Sequence, residues 1–401
     1  MSRSRRGDGV RRIGILAVAA AALVLAATAA ARTHAGTPIV IGWAHDSTGP
    51  MAPFDGPALA AAQIRVAQIN AKGGVDGHPL VIKTCDTQGD NPAVSKTCAD
   101  KLIAEGSNVI FTTCDVDLAA PAVQESINKG LLTIAPCIGT DQMGPSRFGA
   151  KGALAFSFGN VAQDEGSAMA QFAWAKGWRT ADLATDTVIV YFKNVVQAFA
   201  ARWKQLGGKV VDQESYQDPA FHGNNVQNAV SRINSHKADV IVTATAGAYG
   251  ALAPLITGLR TLGNNTPVLN SWAGDGVYWL PKSPKVTNYY FVTYADAFGG
   301  DPNKAINALA KKIHAATGGF VTGPAAIDGL ATAIREAGGS TNGAALAAKM
   351  VKFHNVPTLS GLVSFSPQLH VVFHRQYRVI EINNNVPRLV AEVVAKVVPK
   401  I

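Results

Sequence analysis

Strand-like and helix-like segments alternate along this chain, and the alternation constrains the fold more than any other feature. Residues 39–44 form a continuous apolar run, as expected for a parallel strand that is covered on both faces. Apolar residues then recur at helical spacing, at Leu59, Ala62, Val66 and Ile69. Gly73 and Gly74 close this strand-helix unit, since glycine is the usual residue just past the end of a helix.

The same unit recurs in the residues that follow. Further strands are predicted at 80–84, 109–112 and 131–135, with helices at 93–105 and 119–129 between them. Because crossovers between such strands are right-handed, the four strands should be parallel and belong to one sheet. This sheet and its helices make up a first lobe.

A second series of strands and helices starts near residue 154. Its strands are predicted at 154–158, 181–184, 209–214, 239–244 and 267–269. Its helices are predicted at 164–176, 192–206, 224–235 and 248–262. The C-terminal third adds helices near 303–317, 325–336 and 344–352 and strands near 362–365 and 375–382, which is too little for a third domain. The alternation therefore predicts an α/β protein with two doubly wound sheets, each in its own lobe.

The first 35 residues have the pattern of a signal peptide. Arginines precede an uncharged apolar stretch at 13–31, which ends in the small residues Ala29-Ala30-Ala31. The alternative is an uncleaved membrane anchor, but the stretch is mostly alanine and only weakly hydrophobic. Both interpretations place the rest of the chain outside the cytoplasm, in the periplasm or at the cell surface.

The positive charge of the chain is concentrated in this leader. Residues 1–36 contain six Arg and one Asp, which leaves +4 of the formal +9 for the remaining residues. That charge is spread along the chain without a basic run, so nucleic-acid binding is not predicted.

Four cysteines, Cys85, Cys98, Cys114 and Cys137, lie close together in the sequence. In an oxidising compartment an even number of cysteines indicates disulfides, and the sequence alone allows three pairings. A metal site is not predicted, because no two of these cysteines have the C-x2-C spacing and no histidine accompanies them.

Ligands of open parallel sheets bind beyond the carboxyl ends of the strands, where this chain has unusually polar loops. The residues predicted to bind a ligand there are Ser47, Phe54, Asp115, Thr140, Asp186, Tyr249, Trp272 and Asp275. Each polar one could instead be an ordinary helix cap, since Asp, Ser and Thr are preferred N-cap residues. Convergence of aromatic side chains and carboxylates from several loops favours a binding site.

No catalytic signature accompanies these loops. The sequence lacks a G-x-S-x-G elbow, a phosphate-binding Walker loop, a G-x-G-x-x-G turn after a strand and an H-E-x-x-H motif. We therefore predict neither an enzyme nor a cofactor.

Several short segments carry a family resemblance. They begin with Ile41-Gly42, Thr48-Gly49-Pro50 and the run INAKGGVDGHPL at residues 69–80. They continue with Asp90-Asn91-Pro92-Ala93, Ile134-Ala135-Pro136, Leu206-Gly207-Gly208 and Gly274-Asp275-Gly276. Together these segments resemble the branched-chain amino-acid-binding proteins of ABC importers, which are type I periplasmic binding proteins.

The resemblance implies two Rossmann-like lobes joined by three crossovers, with a ligand cleft between them. Lobe 1 would comprise residues 37–157 and about 297–355, and lobe 2 residues 158–296 and about 356–401. Through the same resemblance Cys114 pairs with Cys137, since strands three and four would be neighbours, and Cys85 pairs with Cys98.

In that family an amino-acid ligand lies between the lobes, and an acid of the second lobe holds its ammonium group. By resemblance Asp275 matches that acid, and Phe54 falls near a family tyrosine. Where the family usually has a serine after strand three, this sequence has Asp115. If Asp115 faces the cleft, it opposes a ligand carboxylate at about 4 Å by roughly 4 kcal/mol at an effective dielectric near 20, which favours a cationic or uncharged ligand. If Asp115 instead caps the third helix, an amino-acid ligand remains expected.

These observations predict an extracytoplasmic solute-binding protein of an ABC importer. It would be a monomer that closes around a small polar solute, an amino acid or a related compound, and delivers it to a membrane permease. The alternative is a ligand sensor of the same fold that presents its solute to a signalling receptor.

Overall fold

The computed structural model describes residue 1 and residues 36–217 and 226–401 of the chain. The predicted signal peptide therefore lies outside the described residues, apart from Met1. Among the helices of the described part, none combines the length and the apolar character that a membrane span requires.

The first lobe is built on a six-stranded parallel sheet. Its strands are β1 (Ile39–His45), β2 (Leu80–Asp86), β3 (Val109–Phe111), β4 (Leu132–Ala135), β5 (Ala155–Asn160) and β13 (Val371–Val372). They lie in the order β13-β5-β4-β3-β1-β2, and every neighbouring pair is parallel. The helices between β1 and β5 are α1 (Ala52–Asn70), α2 (Pro92–Ala104), α3 (Val116–Asn128) and the short α4 (Pro145–Phe148). The parallel arrangement predicted for the first four strands is confirmed.

The second lobe is built on a seven-stranded mixed sheet. Its strands are β6 (Thr180–Asp186), β7 (Lys209–Tyr216), β8 (Val240–Ala244), β9 (Val268–Asn270), β10 (Tyr289–Thr293), β14 (Gln376–Asn383) and β15 (Val386–Val394). They lie in the order β15-β14-β10-β9-β8-β6-β7. β14 is antiparallel to both of its neighbours, and the other pairs are parallel. The helices of this lobe are α5 (Ala162–Ala175), α6 (Val190–Gln205), α7 (Val226–Ser235) and α8 (Leu252–Thr261).

The C-terminal third contributes strands to both sheets. Its remaining elements are α9 (Lys304–Ile313), α10 (Thr322–Glu336), α11 (Gly343–Met350), β11 (Val356–Thr358) and β12 (Gly361–Val363). α10 packs closely on α1, because a Cβ at Gly323 would lie only 1.9 Å from the carbonyl oxygen of Ala58.

The pairing of β13 bears on where the second part of lobe 1 ends. β13 pairs with β5 in the first sheet, whereas the sequence assigned everything after about residue 356 to lobe 2. Only β14 and β15 join the second sheet. We therefore propose that the chain passes into lobe 2 between Val372 and Gln376.

Local sequence accounts for several helix ends. Asn91, Asn303 and Asn342 each cap a helix by accepting a hydrogen bond from a backbone N–H of its first turn. α9 is shorter than the predicted helix 303–317, because His314 adopts a left-handed conformation with φ of 51° and ends it. Strands β10, β11, β13 and β15 were not predicted. The strand predicted at 154–158 was assigned to the second series, but it is β5, which pairs with β4 in the first sheet.

Three crossovers connect the lobes, after β5, after β10 and after β13. Asn160 at the end of β5 joins all three. Its backbone N–H donates to the hydroxyl of Tyr294 at 3.1 Å, and its Nδ2 donates to the hydroxyl of Tyr377 at 2.7 Å. The buried Arg375 donates to the carbonyl of Phe158 at 2.7 Å. The crossovers therefore form one hydrogen-bonded hinge.

Both disulfides implied by the family resemblance are present. Cys85 in β2 is bonded to Cys98 in α2, with Cα atoms 5.5 Å apart. Cys114 after β3 is bonded to Cys137 after β4, with Cα atoms 4.9 Å apart. Among the described residues no cysteine is free.

Replacing Cys85 and Cys98 together by serine should lower the free energy of unfolding by about 3 kcal/mol. The bond closes a chain segment of 13 residues and so restricts the unfolded chain by about this amount. Urea unfolding of the variant and the wild type measures the difference. Wild-type protein treated with a reductant provides the comparison, and an unchanged unfolding midpoint in the variant would contradict the prediction.

Candidate functional site

A narrow cavity of about 30 Å³ lies between the two lobes, beyond the carboxyl ends of the strands. The first lobe contributes Met51, Phe54, Cys114, Asp115, Val116, Ile138, Gly139 and Thr140 to its wall. The second lobe contributes Ile189, Val190, Tyr191, Phe192, Ala246, Tyr249, Trp272 and Ala273. This space is smaller than a small-molecule ligand requires, so the lobes must move apart to admit a ligand, which residues of both lobes would then contact.

Aromatic rings form much of this wall. The ring centroids of Phe54 and Trp272, from opposite lobes, are 4.9 Å apart. Tyr191 lies 6.5 Å from Trp272, and Phe192 lies 6.0 Å from Tyr249. These separations are typical of packed aromatic pairs, so the lobes meet through an aromatic interface around the cavity.

Asp115 fulfils both roles that the sequence left open. It is the N-cap of α3, where Oδ1 accepts from the backbone N–H of Asp117 at 2.7 Å. Its Oδ2 lies 3.4 Å from the hydroxyl of Tyr249 in the second lobe, and the side chain lines the cavity. Burial, reinforced by the nearby charge of Asp117, raises the pKa of Asp115 to about 7.

Glu165, in the first turn of α5, fixes the positions of two cavity residues. Its Oε1 accepts from the hydroxyl of Tyr191 at 2.7 Å and from the backbone N–H of Trp272 at 2.6 Å. Its Oε2 accepts from the hydroxyl of Tyr377 at 3.3 Å. Complete burial raises the pKa of Glu165 to about 7, against the opposing effect of these hydrogen bonds.

Asp275 lies outside the cavity lining and connects the lobes. Its Oδ2 accepts from the hydroxyl of Thr293 and from the backbone N–H of Gly318, both at 2.6 Å. Gly318 precedes α10 of the first lobe. Burial raises the pKa of Asp275 to about 7.

Two other predicted residues also lie away from the cavity. Ser47 is exposed and hydrogen-bonds to Asp86 at the end of β2. Asp186 is buried and accepts from the hydroxyl of Thr245 at 2.8 Å, within the second lobe. The cavity brings together the other predicted residues apart from Asp275, namely Phe54, Asp115, Thr140, Tyr249 and Trp272.

Polar contacts hold the two lobes together beside the cavity. Asp117 of α3 accepts from the backbone N–H of Val190, the first residue of α6, at 2.8 Å. α6 has no side-chain cap from its own N-cap residue, so an acid of the opposite lobe fills that position. Thr140 donates to Oδ1 of Asn194 at 3.1 Å.

Sequence reasoning missed four residues of this region: Glu165, Tyr191, Asp117 and Asn194. Glu165 and Asp117 each lie in the first turn of a helix, where an acid is ordinary because it favours the helix dipole. The loop after β6 was recognised as part of the cleft, but its first helical turn, which contains Tyr191, was not. No local pattern would have found Asn194, which is defined by its contact across the lobes.

The fold and the cavity define a two-lobed solute-binding protein. Residues 38–387, most of the chain, match the family described as periplasmic binding protein, so the chain belongs to that family. Its members are extracytoplasmic proteins that bind small ligands and work with ABC transporter permeases. The prediction of a solute-binding protein rather than an enzyme is confirmed by this membership.

Similar proteins include branched-chain amino-acid-binding proteins, the class that the sequence resembles. The Leu/Ile/Val-binding protein BraC3 of Rhizobium johnstonii is 26% identical over 82% of this chain and 87% of its own length. LivJ of Streptococcus pneumoniae, a branched-chain amino acid transporter substrate binding protein solved with isoleucine, has a TM-score of 0.75 at 18% identity, covering 89% of this chain and 99% of LivJ. A solute binding protein from Rhodopseudomonas palustris BisB5, solved with 3,4-dihydroxybenzoic acid, has a TM-score of 0.73 at 16% identity, covering 90% and 99%.

Replacing Glu165 by glutamine should change how stability depends on pH. The carboxyl group has a pKa near 7 when folded and near 4.5 when unfolded, so it binds protons more tightly in the folded protein. Its contribution to stability is complete below about pH 4.5 and is lost as the pH rises through 7. We expect the Tm of Glu165→Gln, relative to wild type, to increase by a few degrees between pH 5 and pH 8.

Thermal unfolding of both proteins across this pH range measures the effect. Glu336→Gln, which alters an exposed carboxylate at the end of α10, is the matched control and should follow the wild type. Parallel curves for Glu165→Gln and wild type would contradict the prediction.

Proposed function

We propose that this protein captures a ligand with an amino group and an apolar body, and delivers it to the permease of an ABC importer. The proposal includes export to the periplasm or the cell surface, a monomeric state, and no role in binding nucleic acid. The observation that carries the ligand class is the carboxylate of Asp115 in a wall that is otherwise uncharged and largely aromatic and aliphatic.

The charge balance of the wall favours a cation. Asp115 is only 4% exposed, and no Lys, Arg or His belongs to the cavity lining within residues 36–217 and 226–401. A ligand carboxylate about 4 Å from Asp115 would be opposed by roughly 4 kcal/mol at an effective dielectric near 20, whereas an ammonium group there would be stabilised.

The aromatic side chains support the same conclusion. A cation is attracted to the faces of aromatic rings, most strongly to tryptophan, and the apolar body of a ligand would pack against the same rings. Trp272 and Phe54 come from opposite lobes, so a ligand that packs against both rings would favour closure of the cleft.

The relatives bind ligands that differ in charge. LivJ of Streptococcus pneumoniae was solved with isoleucine, which has both an ammonium and a carboxylate group, and the Rhodopseudomonas palustris protein was solved with an aromatic acid. In this chain Asp115 should discriminate between such ligands, because its carboxylate attracts the ammonium group of a ligand and repels a ligand's carboxylate.

Ligands that share one carbon skeleton test the proposal directly. Leucine, 3-methylbutylamine and 4-methylpentanoate differ only in which charged groups they carry; phenylalanine, 2-phenylethylamine and 3-phenylpropanoate form an aromatic counterpart. We expect calorimetric titration to find that an amine binds best and an acid worst. The affinity for the amine should rise from pH 6 to pH 8 as Asp115 ionises.

Asp115→Asn is the matched variant, because asparagine keeps the shape and can still cap α3. It should weaken amine binding by about 30-fold or more, since it removes the buried counter-charge, and should not weaken binding of the acid. Asp115→Ser, which introduces the residue usual in the family, should shift preference towards the amino acid. An acid that binds wild type as tightly as the amine would contradict the proposed ligand class.

Closure of the lobes is tested by Asp117→Ala. Asp117 does not line the cavity, but it caps α6 across the interface. Loss of a helix cap costs about 1 kcal/mol, so ligand affinity should fall about fivefold even though no ligand contact changes. Because the charge of Asp117 also raises the pKa of Asp115, the titration is made at pH 8.5, where Asp115 is ionised in both proteins. The ligand is whichever one binds wild type, and Asp100→Ala on the exposed surface of α2 is the control. Unchanged affinity in Asp117→Ala would show that this contact does not contribute to closure.

A further inference from the structure

A second cluster of polar side chains lies at the edge of the second sheet, where β7 is the last strand. The register pairs Asp182 of β6 with Asp212 of β7, and Glu214 follows two residues later on the same face. His236 follows the end of α7. None of these four residues lines the ligand cavity, so the cluster is independent of the proposed ligand site.

Three of these side chains already bring donor atoms together. Three donor atoms, one from each of Asp212, Glu214 and His236, lie within 4.8 Å of one another. Nδ1 of His236 is 3.4 Å from Oδ2 of Asp212 and 3.8 Å from Oδ2 of Asp182. Ligands of a tetrahedral zinc ion, bound at about 2.0–2.2 Å, are roughly 3.3–3.6 Å apart, so the observed distances are close to those of a metal site.

The most buried member of the cluster has no hydrogen-bond partner. Asp182 is 1% exposed, and neither of its carboxylate oxygens accepts a hydrogen bond from any described residue. The same holds for Oε1 of Glu214, which is 3% exposed, and for Nδ1 of His236. Buried polar atoms usually have a partner, so these unsatisfied acceptor atoms, which lie around a common point, are suited to binding a cation.

Electrostatics leads to the same conclusion. The only cation paired with the cluster in the described structure is Arg232, which bonds to Glu214 at 2.9 Å and to Asp212 at 3.0 Å. One guanidinium does not balance three carboxylates. Arg232 is 60% exposed and can turn into solvent when another cation takes its place.

We propose that Asp182, Asp212, Glu214 and Nδ1 of His236 form a binding site for a divalent transition-metal ion of the zinc class. An imidazole together with carboxylates is a donor set that zinc accepts, whereas calcium and magnesium prefer oxygen alone. The sequence did not predict this site, because its donors come from two strands and a helix end and have no metal-binding spacing.

Zinc titration of untagged, EDTA-treated protein tests the site. Calorimetry should show saturable binding of one zinc ion at pH 7.5 and much weaker binding of magnesium. His236→Gln and Asp182→Asn should each weaken zinc binding by at least about tenfold. His354→Gln, which changes an exposed histidine of the first lobe, should bind zinc like the wild type.

Arg232→Gln separates a metal site from an ordinary ion-pair cluster. If Arg232 competes with the metal, its removal should tighten zinc binding several-fold, and added zinc should raise the Tm of the variant. Because the side chain of Arg232 is largely exposed, this substitution should not prevent folding. The proposal is wrong if wild type does not bind zinc, if binding survives in both His236→Gln and Asp182→Asn, or if Arg232→Gln does not bind zinc more tightly than wild type.

Discussion

The arrangement of the cleft depends on one buried carboxylate. Glu165 binds the phenol of Tyr191, the backbone of Trp272 and the phenol of Tyr377 at the same time. The first two residues form the cavity wall, and the third belongs to the hinge, where it also meets Asn160. A carboxylate in the protein interior is unfavourable unless such donors surround it, so the donors and the acid hold each other in place. Through Glu165 the shape of the cavity wall and the geometry of the hinge are set together.

The alternation of strands and helices could be predicted because periodicity is local information. Polar residues after the strands identified the cleft for the same reason, and Tyr249 and Trp272 are there. β13 has only two residues, and the lobe to which it belongs is decided by its pairing with β5, which no local pattern reveals. Asp186 ends β6 and Trp272 lies just beyond β9, but the carboxylate of Asp186 accepts from the hydroxyl of Thr245 within the second lobe. Whether a polar loop residue faces the cavity depends on tertiary contacts, which the local sequence does not show.

Asp115 shows that one residue can both cap a helix and face a ligand cavity. A carboxylate has two oxygens, and here one stabilises the start of α3 while the other reaches the hydroxyl of Tyr249 across the lobes. The residue that starts a helix at the end of a strand lies at the carboxyl edge of the sheet by construction. Helix capping and ligand contact are therefore compatible at this position, and the cap fixes the rotamer that points the second oxygen at the cavity.

The disulfide between Cys114 and Cys137 joins the two first-lobe loops that carry Asp115 and Thr140 into the cavity. A newly made chain in the cytoplasm has thiols at these positions, because cytosolic reductants keep cysteines reduced. Its two loops are not yet covalently held in register, and the binding surface reaches its final form only after oxidation. In an extracytoplasmic protein this link forms outside the cytosol, so the two loops acquire their covalent register in the compartment where the ligand is bound.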